Sequence, residues 1–221
     1  MRTVLFIMSI FMVLSCHKSE DLSDQDIMPY GDGSRTKVDG RVFEYGSNKP
    51  LVYCMVILQE EFHEPFSGGG IYYTIDTTYT DSIGYYVFDF KHMKKDQVYS
   101  YSYVVEAIQP LYFSGGNSME EGFWNKNRDI ILDPYAWIKV HIKNVNPFDE
   151  NDKMATSGPW GGGGNNQYHL GVKIDTFEIR RARGNRNEFV CGHWWKNKIY
   201  SIKCDSIFFI GFDTIPYEIL Y

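Results

Sequence analysis

The sequence predicts an all-β protein, and three observations support that prediction. Tyr and Phe are abundant, with 17 and 15 copies in 221 residues, and 20 glycines are spread through the chain. This composition is typical of sheets joined by turns. Short segments repeatedly alternate apolar and polar residues with the period of two that strands require. Beyond the first fifteen residues, no segment shows the apolar spacing of a four-turn amphipathic helix.

The first residues predict export and lipid attachment. Arg2 precedes a short apolar run, 4–14, which is followed by Ser15 and Cys16. This order is typical of a secretory signal, and the run is shorter than the roughly 20 residues that span a bilayer. The tetrad Val-Leu-Ser-Cys at 13–16 resembles the lipobox of bacterial lipoproteins. The resemblance implies that residues 1–15 form a signal peptide and that Cys16 becomes the acylated first residue. The alternative is an ordinary secretory signal with an incidental cysteine.

Residues 16–35 are predicted to form an acidic, disordered tether. The segment is poor in apolar residues, so it cannot bury enough area to offset its chain entropy. Lys-Ser-Glu-Asp at 18–21 resembles the export tether of surface-exposed lipoproteins, and the alternative is a plain solvated linker. His17 stands where an Asp would indicate retention at the inner membrane. The resemblance therefore favours the outer membrane and leaves open which side of it the protein faces.

Residues 36–133 are predicted to form the first of two β domains. Strand patterns occur at 37–45, 51–58, 71–77, 85–90 and 99–107, and a short one closes the region at 128–134. The run 51–58 is continuously apolar, which predicts a strand covered on both faces. The stretch 60–70 is a glycine-rich excursion, and Gly115 begins a longer loop. About seven strands separated by turns predict a β-sandwich.

Two motifs make this prediction more specific. Val38, Gly40 and Val42 open the region, and 80–88 reads Thr-Asp-Ser-Ile-Gly-Tyr-Tyr-Val-Phe. Together with Lys49-Pro50 before an apolar strand, this order resembles the carboxypeptidase regulatory-like, transthyretin-like β-sandwich. The resemblance implies a seven-stranded sandwich and a non-catalytic scaffold.

Residues 134–221 are predicted to form a second, smaller β domain. The segment 136–144 alternates, with Trp137 on the face opposite Ile138, Val140 and Ile142. Residues 146–167 are predicted to be mostly loop, and strands follow within 168–180 and 187–212. The alternative is one continuous sandwich to which these strands add.

A hairpin in this second region brings two cysteines together. With Asn197-Lys198 as a two-residue turn, counting outward pairs Cys191 with Cys204, at a Cα separation compatible with a disulfide. Lys198 is the unfavourable residue, because such a turn favours Gly there. Two free thiols, or a zinc ion shared with His193, are the alternatives, and structural zinc would need a fourth ligand. Cys54, in the apolar run, is predicted to be a buried free thiol.

The sequence favours binding over catalysis. The net charge is −6, or −7 once Arg2 is lost with the signal, which argues against nucleic acid as a partner. No nucleophile elbow, zinc-protease motif or phosphate loop occurs, and no cofactor or metal is expected. Trp160 and Trp124, each in a glycine-containing loop, are the candidate ligand-binding residues, and the alternative is that they fold back to cover a sheet edge. We therefore expect a non-catalytic binding or scaffolding lipoprotein, with the membrane and an envelope protein or glycan as partners. The alternatives are a glycan-binding accessory lipoprotein and an enzyme of unrecognised class.

Overall fold

The computed structural model describes residues 27–29, 34–63, 70–91, 100–159 and 167–221. Every regular element in these ranges is a β-strand, which confirms the all-β prediction. Within the same ranges, no helix is long and apolar enough to cross a membrane. The strands are β1 (Ile27–Pro29), β2 (Arg35–Glu44), β3 (Met55–His63), β4 (Gly70–Tyr79), β5 (Tyr85–Lys91), β6 (Ser100–Ile108), β7 (Gly115–Met119), β8 (Phe123–Asn125), β9 (Ile130–Leu132), β10 (Tyr135–Lys143), β11 (Lys153–Ser157), β12 (Gln167–Leu170), β13 (Asp175–Arg183), β14 (Arg186–Lys196), β15 (Ile199–Phe209) and β16 (Thr214–Leu220).

Strands β1–β9 form a β-sandwich. One sheet has the order β1-β8-β2-β5, with β9 paired to the end of β2, and the other has the order β4-β3-β6-β7. Strand β2 buries every second residue, so Val38 and Val42 reach the core from the first sheet. Leu58 of β3 and Val105 of β6 meet them from the second sheet in one hydrophobic cluster.

The described part of this unit holds nine strands, where the sequence predicted seven. Strands β7 and β8 lie in the region predicted to be a loop after Gly115, and β1 lies within the predicted tether and pairs with β8. Such short strands carry no periodic apolar signal. Strand β8 is held instead by Asn125, which is fully buried and exchanges two 2.9 Å hydrogen bonds with the backbone of Glu120.

The Thr-Asp-x-x-Gly motif turns the chain from one sheet to the other. The buried Thr80 hydroxyl donates to the Leu51 carbonyl at 2.6 Å and accepts the Cys54 N–H at 2.9 Å. Residues 51–54 therefore turn around Thr80, and the apolar run 51–58 becomes a strand only at Met55. Gly84 closes the motif at φ +76°, where an added Cβ would lie 2.8 Å from a backbone oxygen of β2.

Strands β10–β16 form a second pair of sheets, β13-β10-β16 and β12-β11-β14-β15. Ile138, Val140 and Ile142 of β10 are fully buried, and Trp137 lies on the opposite face, as the alternation predicted. Strand β11 lies within the segment 146–167, which was predicted to be mostly loop. Its only large apolar side chain is Met154, so it has no alternating pattern, and pairing with β12 and β14 fixes its register.

The two units have separate cores and meet at residues 133–135. The first hydrophobic cluster ends at Leu132 and the second begins at Ala136. Across the junction, Asn185 Nδ2 donates to the Tyr45 carbonyl at 2.8 Å. Asp133 forms ion pairs with Arg183 and Arg186, and the Arg186 guanidinium lies 4.1 Å from the centroid of the Tyr45 ring. These contacts fix how the second unit is presented by the first.

Candidate recognition site on the second unit

Several of the sequence-predicted site residues lie outside the described ranges. Cys16, with the predicted signal peptide, precedes the first described residue, and Trp160 begins the undescribed segment 160–166. The structure therefore bears on Trp124 and on the two paired cysteines.

Trp124 lies on β8 as part of a polar cluster. Its ring centroid is 3.9 Å from Lys37 Nζ and 4.3 Å from Lys126 Nζ. Its Nε1 donates to Asp39 at 3.0 Å, and Tyr85 donates to the other oxygen of that carboxylate at 2.9 Å. The half-buried ring thus has its own partners within the protein. It therefore packs against its neighbours and does not stand free on a loop.

Cys191 and Cys204 are joined by a disulfide with a Cα–Cα distance of 4.1 Å. They face each other across β14 and β15 in the register obtained by counting from the turn. The turn residues Asn197 and Lys198 have φ values of 47° and 63°, so the unfavourable lysine is accommodated. The bond leaves neither sulfur as a thiolate ligand. Cys54 is a buried free cysteine, and burial raises its pKa to about 11.

The disulfide lies on a solvent-facing sheet surface that is largely apolar. We call this surface, the side of the β12-β11-β14-β15 sheet opposite the core, the outer face. Several of its large apolar side chains are more than half exposed: Phe189 is 58%, Ile202 51% and Phe208 54% exposed. Large apolar groups clustered on a surface mark interaction sites more often than single exposed residues do. The outer face includes Lys153, Ser157, Tyr168, Leu170, Phe189, Cys191, His193, Trp195, Tyr200, Ile202, Cys204 and Phe208.

An aromatic row crosses the outer face near the hairpin turn. Trp195 and Tyr200 lie opposite each other with ring centroids 5.1 Å apart. Lys153 Nζ lies 5.1 Å from the Trp195 ring and 4.6 Å from the Tyr168 ring, bridging two strands. Three strands therefore contribute rings to this surface, and β11 contributes the lysine between two of them.

A hydrogen-bonded trio lies beside this row. His193 Nε2 is 2.8 Å from Ser157 Oγ, and His193 Nδ1 is 2.7 Å from the Tyr200 hydroxyl. A serine next to a histidine is the arrangement that activates a nucleophile, but a carboxylate normally stabilises the imidazolium that forms. Here a phenol takes that place, and Ser157 is only 6% exposed. The trio holds β11, β14 and β15 in register and is poorly suited to attack on a substrate.

A cleft of about 250 Å³ opens at the end of the row, between the hairpin turn and the loop before β11. It is lined by Asp149, Asn151, Trp195, Asn197 and Lys198. Its walls combine one indole ring, two amides, one carboxylate and one ammonium group. Sites for small polar molecules typically join an apolar wall to a few well-placed polar groups.

A buried aspartate and a half-buried lysine fix the loop that forms one wall. Asp152 is fully buried and accepts the Phe148 N–H at 2.8 Å and Asn144 Nδ2 at 2.9 Å. Burial alone would raise the pKa of Asp152, but these hydrogen bonds hold it below its usual value. Lys196 Nζ donates to Asn144 Oδ1 and to the Asn146 carbonyl, both at 2.7 Å, and so ties the loop to β14. Burial lowers the pKa of Lys196, which Asp152 partly offsets.

A second polar cluster is buried under the other end of the sheet. Glu178 Oε2 accepts Arg180 Nε at 2.9 Å and the Thr156 hydroxyl at 2.8 Å, and Glu178 Oε1 lies 2.6 Å from His169 Nε2. Arg180 Nη1 donates to the Gly158 carbonyl at 2.8 Å. Glu178 and Arg180 are 5% and 8% exposed, so this is a buried ion pair that clamps the end of β11.

Comparisons with known proteins assign neither a family nor a function. No family model and no curated protein matches the chain. Among solved structures, it resembles the TIE protein of Bacillus anthracis at 9% identity and TM-score 0.33, covering 84% of this chain and 34% of that one. It also resembles a streptococcal ancillary pilin at 11% identity and TM-score 0.33, covering 85% of this chain and 63% of that one. A third similar structure is the shaft pilin SpaA of Lactobacillus rhamnosus GG, at 9% identity and TM-score 0.29, covering 85% of this chain and 96% of that one. The chain thus spans about a third of the first structure and under two thirds of the second.

Proposed function

We propose that this protein is a lipid-anchored, non-catalytic binding or scaffolding module of the outer membrane, and that the outer face is its recognition surface. The observation that supports this most is the exposure of Phe189, Ile202 and Phe208 on one continuous sheet surface. The disulfide and the hydrogen bonds of His193 stiffen that surface, which lowers the entropy lost on binding. A rigid, aromatic surface suits recognition of a partner in the envelope.

A non-catalytic role is supported by the arrangement of Ser157 and His193 on this surface. Ser157 is buried, and the group that orients His193 is the hydroxyl of Tyr200. Without a carboxylate at that position, the imidazolium formed by proton abstraction would lack its stabilising charge.

The first unit is proposed to act as a scaffold of the transthyretin-like type. The segment 80–88 that carries the resemblance has a structural role, because Thr80 and Gly84 shape the crossing between sheets. The contacts of Tyr45 and Asp133 then hold the second unit in place. In this arrangement the lipid on Cys16 fixes the chain to the membrane and the acidic segment after it provides the spacing.

The anchor is tested by replacing Cys16 with Ser in cells. We expect Cys16→Ser to abolish acylation, so that the membrane fraction loses the mature protein and unprocessed precursor accumulates. Stable anchoring requires more than one acyl chain, each methylene contributing roughly 0.8 kcal/mol, so loss of the modified cysteine leaves nothing equivalent. Cell fractionation followed by immunoblotting measures the distribution. Cys54→Ala is the matched control and should stay with the membranes; equal distribution of the two variants would contradict the anchor.

A further inference from the structure

We propose that the cleft beside Trp195 binds one neutral sugar residue of a glycan. The inference rests on the proposed function, since it names a ligand for one part of the outer face. It depends on the composition of the cleft, on its charge and on the way its walls are held.

The lining groups match the chemistry of a sugar. A pyranose presents weakly positive C–H groups on one face and hydroxyls around its edge. The Trp195 ring, which also contacts Lys153 and Tyr200, lines the cleft and offers an aromatic surface for the C–H groups. The side-chain amides of Asn151 and Asn197 each donate and accept hydrogen bonds, as hydroxyls do. The Asp149 carboxylate adds an acceptor, although one of its oxygens already accepts the Asn151 N–H at 2.8 Å.

The charge of the cleft selects a neutral ligand. Its lining contains one carboxylate, Asp149, and one ammonium group, Lys198, so its formal charges cancel. A phosphate or uronate would meet Asp149 without the paired cations that anion recognition requires. The volume of about 250 Å³ holds roughly eight waters at about 30 Å³ each, which suits one ring and not a large aglycone.

The walls of the cleft are already in place before a ligand arrives. Lys196 and Asp152 fix the loop side, and the disulfide fixes the hairpin side. A site with ordered walls loses less entropy on binding. Beyond the cleft, Tyr200 and Tyr168 continue the aromatic row, so a longer glycan would extend from Trp195 across the outer face.

The test uses the full chain purified in detergent and an array that prints neutral and uronic-acid-containing oligosaccharides. We expect binding to neutral glycans, and titration calorimetry with the strongest array ligand should show at least about tenfold weaker binding for Trp195→Ala, equivalent to about 1.4 kcal/mol. Asn197→Gly removes an amide while keeping a residue suited to φ 47°, so it should weaken binding with an unchanged melting temperature. Trp137→Ala, on the opposite sheet, is the control and should bind as the wild type does.

Three results would overturn the inference: no neutral glycan bound, a preference for uronic acids, or equal affinity in Trp195→Ala and the wild type. An empty array combined with crosslinking of an envelope component at Ile202 in intact cells would overturn the sugar cleft and leave the proposed function standing. If the protein binds no glycan and forms no adduct at Ile202, both the sugar cleft and the proposed function are overturned.

Discussion

Replacing Arg180 with Leu is expected to destabilise the second unit by about 3–5 kcal/mol, because the change breaks a buried ion pair and leaves the Glu178 carboxylate with only Thr156 and His169 as partners. Glu178 is only 5% exposed, so water cannot replace the lost partner. The hydrogen bond from Arg180 to the Gly158 carbonyl is lost as well. Urea unfolding followed by tryptophan fluorescence measures the change.

Two further variants separate ion-pair loss from general disruption. Arg35→Leu breaks a 2.7 Å pair with Asp89, but Arg35 is 51% exposed, so its cost should stay below about 1 kcal/mol. The double variant Glu178→Leu/Arg180→Leu should regain much of the stability lost in Arg180→Leu, because no charge is then buried alone. The single variants Glu178→Leu and Arg180→Leu are measured beside it. A double variant that loses as much stability as these two lose in sum would contradict the coupling.

Removing the disulfide is expected to cost about 2–4 kcal/mol, since the bond closes a hairpin with a sequence separation of 13. The double variant Cys191→Ala/Cys204→Ala should unfold at lower urea concentration than the wild type. The control is the wild type treated with a thiol reductant, which should match the variant. In the folded state Cys54 is buried, and its raised pKa keeps it a thiol. Equal midpoints for oxidised wild type, reduced wild type and variant would contradict a stabilising bond.

The features predicted from sequence were those with a local signal. The hairpin register followed from counting outward from a two-residue turn, and the buried face of β10 followed from its alternation. Strands β1, β8 and β11 were missed because they are short or contain few large apolar residues. Their positions depend on strands distant in sequence, such as β2 for β8, and a local pattern does not reveal such partners.

The candidate site was missed for a related reason. Tyr200, Ile202 and Phe208 alternate along β15, but the alternation alone does not say which face is exposed. Both faces of that strand carry apolar residues, and only the fold shows that these three point away from the core. Trp124 was named as a candidate because it was predicted to lie in a loop. The loop sequence gave no sign that Lys37, Lys126 and Asp39 contact it.

The central claim is that the outer face of the second unit is the recognition surface of the anchored protein. Site-specific photo-crosslinking in intact cells tests it most directly, with the probe placed at Ile202 on the outer face or at Ile179 on the opposite sheet. Ile202 is 51% exposed and Ile179 is 68% exposed. Accessibility alone would therefore give more crosslinking at the control position, Ile179. A discrete adduct at Ile202, absent at Ile179, is the expected result. No adduct at Ile202, or equal adducts at both positions, would contradict the claim.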